Sequence, residues 1–235
     1  RDFIRWSAPQ LLAEPSDGDY GTKKILTPGG IRVCEGRLTV YYTENDNDGA
    51  SNARLNPQLY AVTSPDGKTW TRPVSLGLAV FPSHAPLRLS TGRLAMTCNR
   101  AFYYSDDPAG LRGWHKCGTA AQDQTGQVTF EQIELFEHAD GTLYCLFRNS
   151  STPYDGYLWQ AQSYDGGRNW TMPVRSDFSD NNTKSFFCAL PDGRYLYIGT
   201  PDNTRQGTRY PLVLALAGTV FYAVYAVDVL SALCL

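Results

Sequence analysis

The stretch SYDGGRNW at Ser163–Trp170 decides how this chain is organised. Its serine hydroxyl and aspartate carboxylate can bond turn backbone groups, its glycines can take positive φ, and its tryptophan can cover the base of a β-hairpin. The pattern recurs, one residue shorter, as SPDGKTW at Ser64–Trp70. A degenerate third copy is Ser105-Asp106 followed by Trp114, and WSAP from Trp6 has the form of the end of a fourth. A turn motif that returns every several dozen residues predicts a repeat architecture.

A second periodic signal consists of glycine turns that join two apolar runs. These glycines are at positions 36, 92, 141 and 193, so they are separated by 56, 49 and 52 residues. Such a turn between alternating apolar segments indicates a β-hairpin. Four-stranded propeller blades repeat roughly every 40–50 residues. We therefore predict an all-β propeller with blades at about 20–73, 80–117, 128–173 and from 183 to 216 onward, each ordered strand, glycine turn, strand, loop, strand, box, strand.

The composition agrees with many short strands and excludes two classes of partner. Aromatic residues make up 13% of the 235 residues, charged residues only 19%, and the chain has 21 glycines and 14 prolines. This balance is typical of a turn-rich β protein. The net charge of −2 provides no basic field, so nucleic acid and anionic membrane surfaces are not expected partners.

The cysteines and histidines do not form a metal-binding pattern. The chain has six cysteines without a C-x-x-C pair, and only three histidines. We therefore expect no metal and no cofactor. Cys98 and Cys145 lie in strand-like runs, so the thiols are interpreted as small buried hydrophobic groups. A disulfide stays open as an alternative.

The last residues, 217–235, form an apolar tail in which Asp228 is the only charge. It fits two buried strands, a hydrophobic segment or sequence unrelated to the fold. The uncharged run 211–227 is barely long enough for a membrane span and is rich in β-branched and aromatic residues, so a span is disfavoured. Six blades of this period need more than 235 residues. We therefore expect residues 1–216 to be an incomplete propeller with four to five blades.

The boxes at Ser64–Trp70 and Ser163–Trp170 resemble the Asp boxes, or BNR repeats, of the sialidase (neuraminidase) superfamily. The resemblance extends from Trp6 to about Leu216. It implies a six-bladed β-propeller, a glycan or glycoconjugate substrate, removal of a terminal acidic sugar, and a secreted or periplasmic location. The box aspartate is expected to be structural, because it caps a hairpin on the outer side of the propeller. Oligomeric state is not predicted.

Two arginines match the superfamily's carboxylate-binding positions. The run DGTLYCLFR ending at Arg148 is similar to the pattern D-G-x-L-x-x-x-x-R, and RYPLVLAL from Arg209 is similar to R-x-x-L-x-L-x-L. The resemblance implies that Arg148 and Arg209 are the second and third clamp arginines. Guanidinium groups suit this task because their planar forks bind carboxylates bidentately and stay charged.

The catalytic carboxylates implied by the resemblance are matched less fully. Sialidases are an exception among glycosidases, because their nucleophile is a tyrosine rather than a carboxylate. FEQIEL at 130–135 is similar to the segment whose glutamate activates this tyrosine, and Glu131 is favoured over Glu134. The acid/base aspartate belongs in the loop of blade one, where Asp46 and Asp48 are candidates.

Two expected residues of the superfamily are missing from their places. Leu26 stands where the first clamp arginine is expected, and Lys23 or Lys24 can replace it only as a point charge. Neither Tyr222 nor Tyr225 has the pattern that surrounds the nucleophile. The alternatives are a non-catalytic carbohydrate-binding propeller, a propeller glycosidase acting on a neutral or uronic sugar, or a purely structural interaction propeller.

The repeat itself predicts a further set of site residues. The innermost strand of each blade starts about eight to ten residues before the turn glycine, beside the propeller axis. These positions hold Pro28, His84, Glu131 and Lys184. A histidine, a glutamate and a lysine that meet at one opening could perform acid–base chemistry on a sugar.

Overall fold

The computed structural model describes residues 7–51, 53–98, 101–117, 130–149, 154–204, 206–218 and 225–228. The side chains of residues 130–133, 217 and 225–228 are not part of this description. Within these ranges the chain forms sixteen β-strands and no helix, and all strand pairs are antiparallel. The predicted all-β class is therefore confirmed.

The chain divides into two compact units, Arg1–Phe81 and Pro82–Leu235. The first unit contains one four-stranded sheet in which sequential strands are neighbours. Its strands are β1 (Ile25–Cys34), β2 (Arg37–Asp46), β3 (Leu55–Ser64) and β4 (Val74–Ser75).

The second unit contains three sheets of the same topology. The strands of its first sheet are β5 (Leu87–Arg88), β6 (Leu94–Cys98), β7 (Ala101–Ser105) and β8 (His115–Lys116). Those of the next are β9 (Phe130–Glu137), β10 (Leu143–Asn149), β11 (Tyr157–Ser163) and β12 (Val174–Ser179). The last sheet has β13 (Phe186–Ala189), β14 (Tyr195–Gly199), β15 (Val213–Ala217) and β16 (Tyr225–Asp228). Four-stranded meanders repeated along a chain are the blades of a β-propeller.

The predicted order within a blade is confirmed, because a glycine turn joins the first two strands of every sheet. The turn glycines 36, 92, 141 and 193 all have positive φ. In the first sheet Glu35 (φ 48°) and Gly36 (φ 71°) both lie in the left-handed region, as a two-residue hairpin turn requires. One boundary differs: the strand expected from Arg209 begins only at Val213. Pro211 has no N–H to donate to a strand ladder, and this favours a loop before Val213.

The apolar tail contributes one described strand to the last sheet. β16 pairs with β15, with Val213 opposite Asp228 and Leu216 opposite Tyr225. The remainder of 219–235, including Tyr222 and Cys234, lies outside the described residues. In the part of the chain that is described, no helix is long and apolar enough to cross a membrane.

The core of the second unit lies between its sheets. Leu135, Cys145 and Phe147 project from one face of the β9–β10 pair and pack with Phe102 of the preceding sheet. From the opposite face, Phe136 and Leu146 pack with residues of the following sheet, among them Phe187 and Tyr197. Because side chains alternate along a strand, one sheet supplies both clusters. Face-to-face packing of successive sheets fixes the blades within this unit.

The Asp boxes occupy the turns between the third and fourth strands. In the longer box, Gly167 N–H donates to Ser163 Oγ (3.0 Å), and the N–H groups of Arg168 and Asn169 donate to Asp165 Oδ1 (3.0 and 2.9 Å). The indole of Trp170 donates to the Gly167 carbonyl at 3.1 Å. The shorter box repeats the serine and aspartate bonds around Ser64 and Asp66, but the indole of its Trp70 donates to the Gln10 side chain at 3.4 Å.

The degenerate box differs from its predicted form in one residue. Its serine, Ser105, accepts the N–H of Asp107, and Asp107 Oδ2 accepts the N–H of Leu111 at 2.9 Å. Asp106 instead forms a bidentate pair with Arg93, at 2.7 and 3.0 Å. The turn carboxylate is therefore Asp107, one residue later than expected.

Five cysteines are described, and each is a free thiol. They are Cys34, Cys98, Cys117, Cys145 and Cys188, of which the first four are buried. Burial raises the pKa of the Cys98 and Cys145 thiols far above the usual range. These two groups are therefore apolar packing elements, as the strand pattern indicated.

Candidate functional site

The predicted site residues of the second unit lie at one end of its sheets. In each antiparallel meander, the first strand begins, the second ends and the third begins at the same end, which we call the loop end. His84 precedes β5, Arg148 is next to last in β10, Lys184 precedes β13 and Arg209 precedes β15. All four are therefore loop-end residues, whereas the Asp boxes lie at the opposite end.

One contact of His84 joins two sheets. His84 Nε2 lies 3.0 Å from Glu134 Oε2. The side chain of Glu134 is 2% exposed and that of His84 is 28% exposed. Glu134 belongs to β9, on the side that also carries Phe136. A buried carboxylate thus contacts a partly exposed imidazole.

Lys184 approaches the same place from the last sheet. Its ammonium group donates to the Ser83 carbonyl at 2.9 Å, next to His84 in the sequence. Two residues further, the Phe186 ring meets the His84 ring edge-on, with centroids 6.4 Å apart and an interplanar angle of 86°. The loops of His84 and Lys184 therefore lie together, as the repeat predicts. The glutamate whose side chain is described beside His84 is Glu134.

The side chain of the favoured candidate, Glu131, lies outside the described residues. Its backbone is placed in β9 opposite Arg148, directly after a register shift between Phe147 and Arg148. Glu131 therefore stays a sequence-based candidate. In the sequence, Glu131 fits the superfamily segment better than Glu134, and no local pattern indicates which of the two is buried. Its burial and its contact to His84 arise only from the tertiary fold.

A second buried acid at the loop end is Asp180, which is 1% exposed. Burial raises its pKa to about 6, although the N–H of Asn182 and the charge of Arg148 both lower it. Among the described residues, no donor forms a hydrogen bond with Asp180 Oδ2. No local pattern singles out Asp180 within its polar loop, since only burial distinguishes it from a solvated loop aspartate.

Polar contacts tie the Asp180 segment to the loops beside both arginines. The Asp180 N–H donates to the Gly156 carbonyl at 2.9 Å, and the Tyr154 hydroxyl donates to the Asp180 carbonyl. Gly156 and Tyr154 both lie in the loop that follows β10, the strand of Arg148. On the other side, the Asn181 amide donates to the carbonyl of Thr208, the neighbour of Arg209.

The two arginines differ in environment. Arg148 is partly buried and close enough to Asp180 to lower the pKa of that carboxyl. Arg209 is exposed in the loop before β15. Both border the segment Asp180–Asn181, one through its charge and the other through its neighbour Thr208.

In the first unit, Asp46 and Asp48 are engaged in local structure. Asp46 is 1% exposed and accepts from the Asn56 amide at 2.8 Å, which lowers the pKa of this carboxyl. Asp48 accepts from Ser51 N–H and Ser51 Oγ, at 2.8 and 2.7 Å, and the Ser51 N–H lowers its pKa. A carboxyl held ionised in this way is poorly suited to donate a proton at neutral pH.

The position of the missing first arginine has apolar surroundings. Leu26 lines a cavity of about 420 Å³ together with Ile31, Val40 and Tyr42. Lys23, a possible replacement, pairs with Asp17 at 2.5 Å. Among the described residues that line this cavity, none carries a guanidinium group.

A larger cleft, of about 740 Å³, lies at the Asp-box end of the second unit. Its Arg93 is held by Asp106, and Glu137 accepts both the N–H and the hydroxyl of Ser90 at 2.7 Å. These charges are already engaged in contacts between turns. The loop end, where a buried acid meets a partly exposed histidine, is therefore the better candidate for chemistry.

The repeat and the blade topology together define a BNR-repeat propeller. The family model described as BNR repeat-like domain matches residues 3–225, and the chain belongs to this family. No curated protein sequence matches the chain. The superfamily resemblance read from the Asp boxes is thereby confirmed.

Solved structures show the same fold at low sequence identity. The chain is similar to Trypanosoma rangeli sialidase in complex with the inhibitor DANA (TM-score 0.68, 16% identity), covering 97% of this chain and 42% of that one. It is similar to a protein of unknown function from Dyadobacter fermentans (TM-score 0.63, 18% identity), covering 86% of this chain and 63% of that one. It is also similar to an α-L-arabinofuranosidase from Clostridium thermocellum (TM-score 0.59, 13% identity), covering 86% of this chain and 71% of that one. The chain thus spans less than two thirds of the first two proteins. Its fold is a sialidase-like β-propeller, shared with other glycosidases.

Proposed function

We propose that this chain belongs to a sialidase-type glycoside hydrolase that removes a terminal acidic sugar. Arg148 and Arg209 bind the sugar carboxylate, and Lys184 adds a third positive charge. The observation that carries this proposal is that the segment before Lys184 bonds to the loops beside both arginines. The Asp180 N–H donates to the Gly156 carbonyl, and the Asn181 amide donates to the Thr208 carbonyl. The propeller folds of a sialidase and an arabinofuranosidase support glycoside chemistry.

The charges of the loop end suit an anionic ligand. A carboxylate can accept two parallel N–H donors from each guanidinium, and the interaction strengthens when water is excluded. Asp180 opposes an anion only when it is ionised, and its pKa of about 6 keeps part of the population neutral in weak acid. We therefore expect acidic sugars to bind better in weakly acidic solution than at pH 8.

The catalytic groups that we propose come from the candidates of the sequence. His84 is the acid–base candidate that the described geometry supports, because its ring is partly exposed and contacts a buried carboxylate. Glu131, Asp46 and Asp48 stay candidates from the sequence. The local hydrogen bonds of Asp46 and Asp48 favour structural roles for these two aspartates.

The test is hydrolysis of 4-methylumbelliferyl glycosides of sialic acid, glucuronic acid and a neutral hexose. We expect release from an acidic substrate, and Arg209→Ala should raise KM for it about tenfold or more, the equivalent of roughly 1.4 kcal/mol of lost binding. Arg148→Lys keeps the charge beside Asp180 but removes the planar fork, so it should also raise KM. Arg112→Ala is the control, since Arg112 is 86% exposed near the Asp-box end.

Unchanged KM in both Arg209→Ala and Arg148→Lys would refute the carboxylate clamp. Glycan binding without product release would instead indicate a non-catalytic carbohydrate-binding propeller. Melting temperatures of all variants, measured in parallel, separate a loss of binding from a loss of folded protein.

A second candidate function is a propeller glycosidase that acts on a non-sialic sugar. It is favoured by the first sheet, where Leu26 lines an apolar cavity and Lys23 is paired with Asp17. A clamp of fewer guanidinium groups suits a uronic or neutral sugar better than sialic acid. Preferential release from the glucuronide or the neutral hexoside would select this candidate.

A further inference from the structure

Glu134 is an ionisable side chain in an unusual position. It is 1% exposed in the middle of β9, between Ile133 and Leu135. Within the described residues, neither of its carboxylate oxygens has a hydrogen-bond partner of good geometry. The contact that it does make is the approach of His84 Nε2 at 3.0 Å. Removing a carboxylate from water is costly. The positive charge of a protonated His84 would offset part of that cost for Glu134.

The loop of His84 is fixed on several sides. Pro82 forms a β-bridge with Cys98, and the Ser83 N–H donates to the Thr97 carbonyl at 2.8 Å. Lys184 holds the Ser83 carbonyl from the last sheet, and the Phe186 ring contacts the imidazole edge-on. The backbone before the imidazole and one edge of the ring are thus set before any ligand binds. Such preorganisation is a requirement of acid–base catalysis.

The two nitrogens of the His84 ring have different surroundings. Nε2 lies 3.0 Å from the buried carboxylate, so the charge of Glu134 favours a proton on Nε2. Nδ1 does not contact Glu134 and is therefore the ring nitrogen available to a substrate. The His84 side chain is 28% exposed. A carboxylate that orients an imidazole in this way fixes both its tautomer and its direction.

We propose that His84 is the acid–base catalytic residue of this glycosidase site and that Glu134 is its positioning residue. This inference rests on the proposed glycoside hydrolysis. In the first step, protonated His84 gives its Nδ1 proton to the glycosidic oxygen as the bond from that oxygen to the anomeric carbon breaks. Water then adds its oxygen to the anomeric carbon and returns one proton to Nδ1. The sum is one glycoside and one water converted into the free sugar and an alcohol.

The first experiment compares two leaving groups. His84→Ala should lower kcat about 10²- to 10⁴-fold on an acidic disaccharide, whose alkoxide leaving group needs a proton. The loss should be at least tenfold smaller on the 4-methylumbelliferyl glycoside, since a phenolate leaves with little protonation. Added imidazole should restore part of the activity on the disaccharide. A purely structural His84 would affect both substrates equally and would not be rescued.

The second experiment separates Glu134 from other carboxylates of the same strand. Glu134→Gln keeps the shape but removes the charge, and we expect a kcat loss of about tenfold or more with KM changed less than about twofold. Glu134→Ala should lose more and recover with added formate. Glu137→Gln is the matched control, because Glu137 ends β9 and bonds to Ser90 at the Asp-box end.

A spectroscopic readout tests the contact independently of turnover. The chain has three histidines, so the ring ¹⁵N signals of the wild type are few. Glu134→Gln should move the signals of one histidine, which His84→Ala removes, and leave the other two in place. Signals unchanged in Glu134→Gln would overturn the positioning role.

The kinetic outcomes distinguish this inference from the proposed function. If the wild-type chain hydrolyses no glycoside of the panel, both the function and the acid–base role are refuted. If it hydrolyses one and His84→Ala keeps kcat on both leaving groups, only the acid–base role is refuted. A Glu134→Gln enzyme with wild-type kcat would leave His84 without a positioning partner.

Discussion

Asp180 and Glu134 show how burial changes the role of a single carboxyl group. Both are 1% exposed, and each has a cationic or titratable neighbour at the loop end, Arg148 for Asp180 and His84 for Glu134. In the sequence, each is an ordinary acidic residue of a loop or strand. Their chemistry depends on what the neighbouring sheet brings to within a few ångströms.

The pKa of Asp180 gives a prediction for stability. Its folded-state pKa of about 6 lies above the ordinary value of 3.8, so Asp180 favours folding fully below about pH 4. This contribution is lost as pH rises through about 6, and the difference corresponds to about 3 kcal/mol. Asp180→Asn should flatten the pH dependence of the free energy of unfolding between pH 4 and 7.

Urea unfolding at four pH values measures this effect. Asp177→Asn is the control, since Asp177 is exposed on the neighbouring strand β12 and should keep the wild-type slope. An Asp180→Asn variant with the same pH slope as the wild type would contradict the raised pKa.

At the scale of the element, the Asp boxes are self-contained turns. In the first unit, Ser64 is fully buried and its hydroxyl oxygen accepts the N–H of Gly67 at 2.8 Å. Asp66 accepts the next two N–H groups, and these bonds lower the pKa of its carboxyl to about 2. The same bonds recur around Ser163 and Asp165. A local pattern of four or five residues therefore fixes each turn.

Ser64→Ala should destabilise the first unit by about 1–3 kcal/mol, because the Gly67 N–H loses its acceptor in a partly buried turn. The free energy of unfolding in urea measures this loss. Ser75→Ala is the comparison: the Ser75 hydroxyl also accepts a glycine N–H, from Gly77 at 3.2 Å, but the residue is exposed. An equal loss of unfolding free energy in the two variants would show that the buried bond of the box contributes no more than an exposed one.

The degenerate box shows where the local pattern stops being sufficient. Asp106 and Asp107 are adjacent, and the sequence does not tell which one closes the turn. Asp106 pairs with Arg93, whose side chain is 10% exposed, and Asp107 therefore takes the turn N–H. The competing arginine lies thirteen residues away, outside any turn motif.

At the scale of the whole molecule, contacts between sheets stabilise the second unit. Phe147 is fully buried and meets Phe102 of the preceding sheet edge-on, with centroids 5.9 Å apart. Phe102 in turn stacks on Trp170 of the Asp box at 4.2 Å. A box tryptophan thus joins the turn of one blade to the core shared with its neighbour.

Phe147→Ala should lower the free energy of unfolding by about 3–5 kcal/mol, because it leaves a cavity between two sheets. Val174→Ala, on the exposed side of β12, should cost much less. Urea titrations followed by tryptophan fluorescence measure both. A loss for Phe147→Ala no greater than that for Val174→Ala would show that the sheets do not share a core at this point.

The sequence by itself determined the blades, because their signals are local. Glycine turns need positive φ, boxes close their own hydrogen bonds, and side chains alternate with a period of two, so each can be read within about ten residues. The placement of Arg148, His84 and Lys184 at strand ends follows from that repeat. The apolar pattern predicts a strand from Arg209, but the strand begins four residues later, at Val213, after Pro211.

Which acidic groups lie beside His84 and Arg148 depends on the tertiary fold. Glu134 rather than Glu131 is the glutamate described beside His84, and Asp180 becomes a weak acid because two loops bury it. Burial and pairing between residues fifty positions apart have no signature in a local pattern. The physical reason is that the energy of a charge depends on the solvent and charges around it, and packing between sheets sets both.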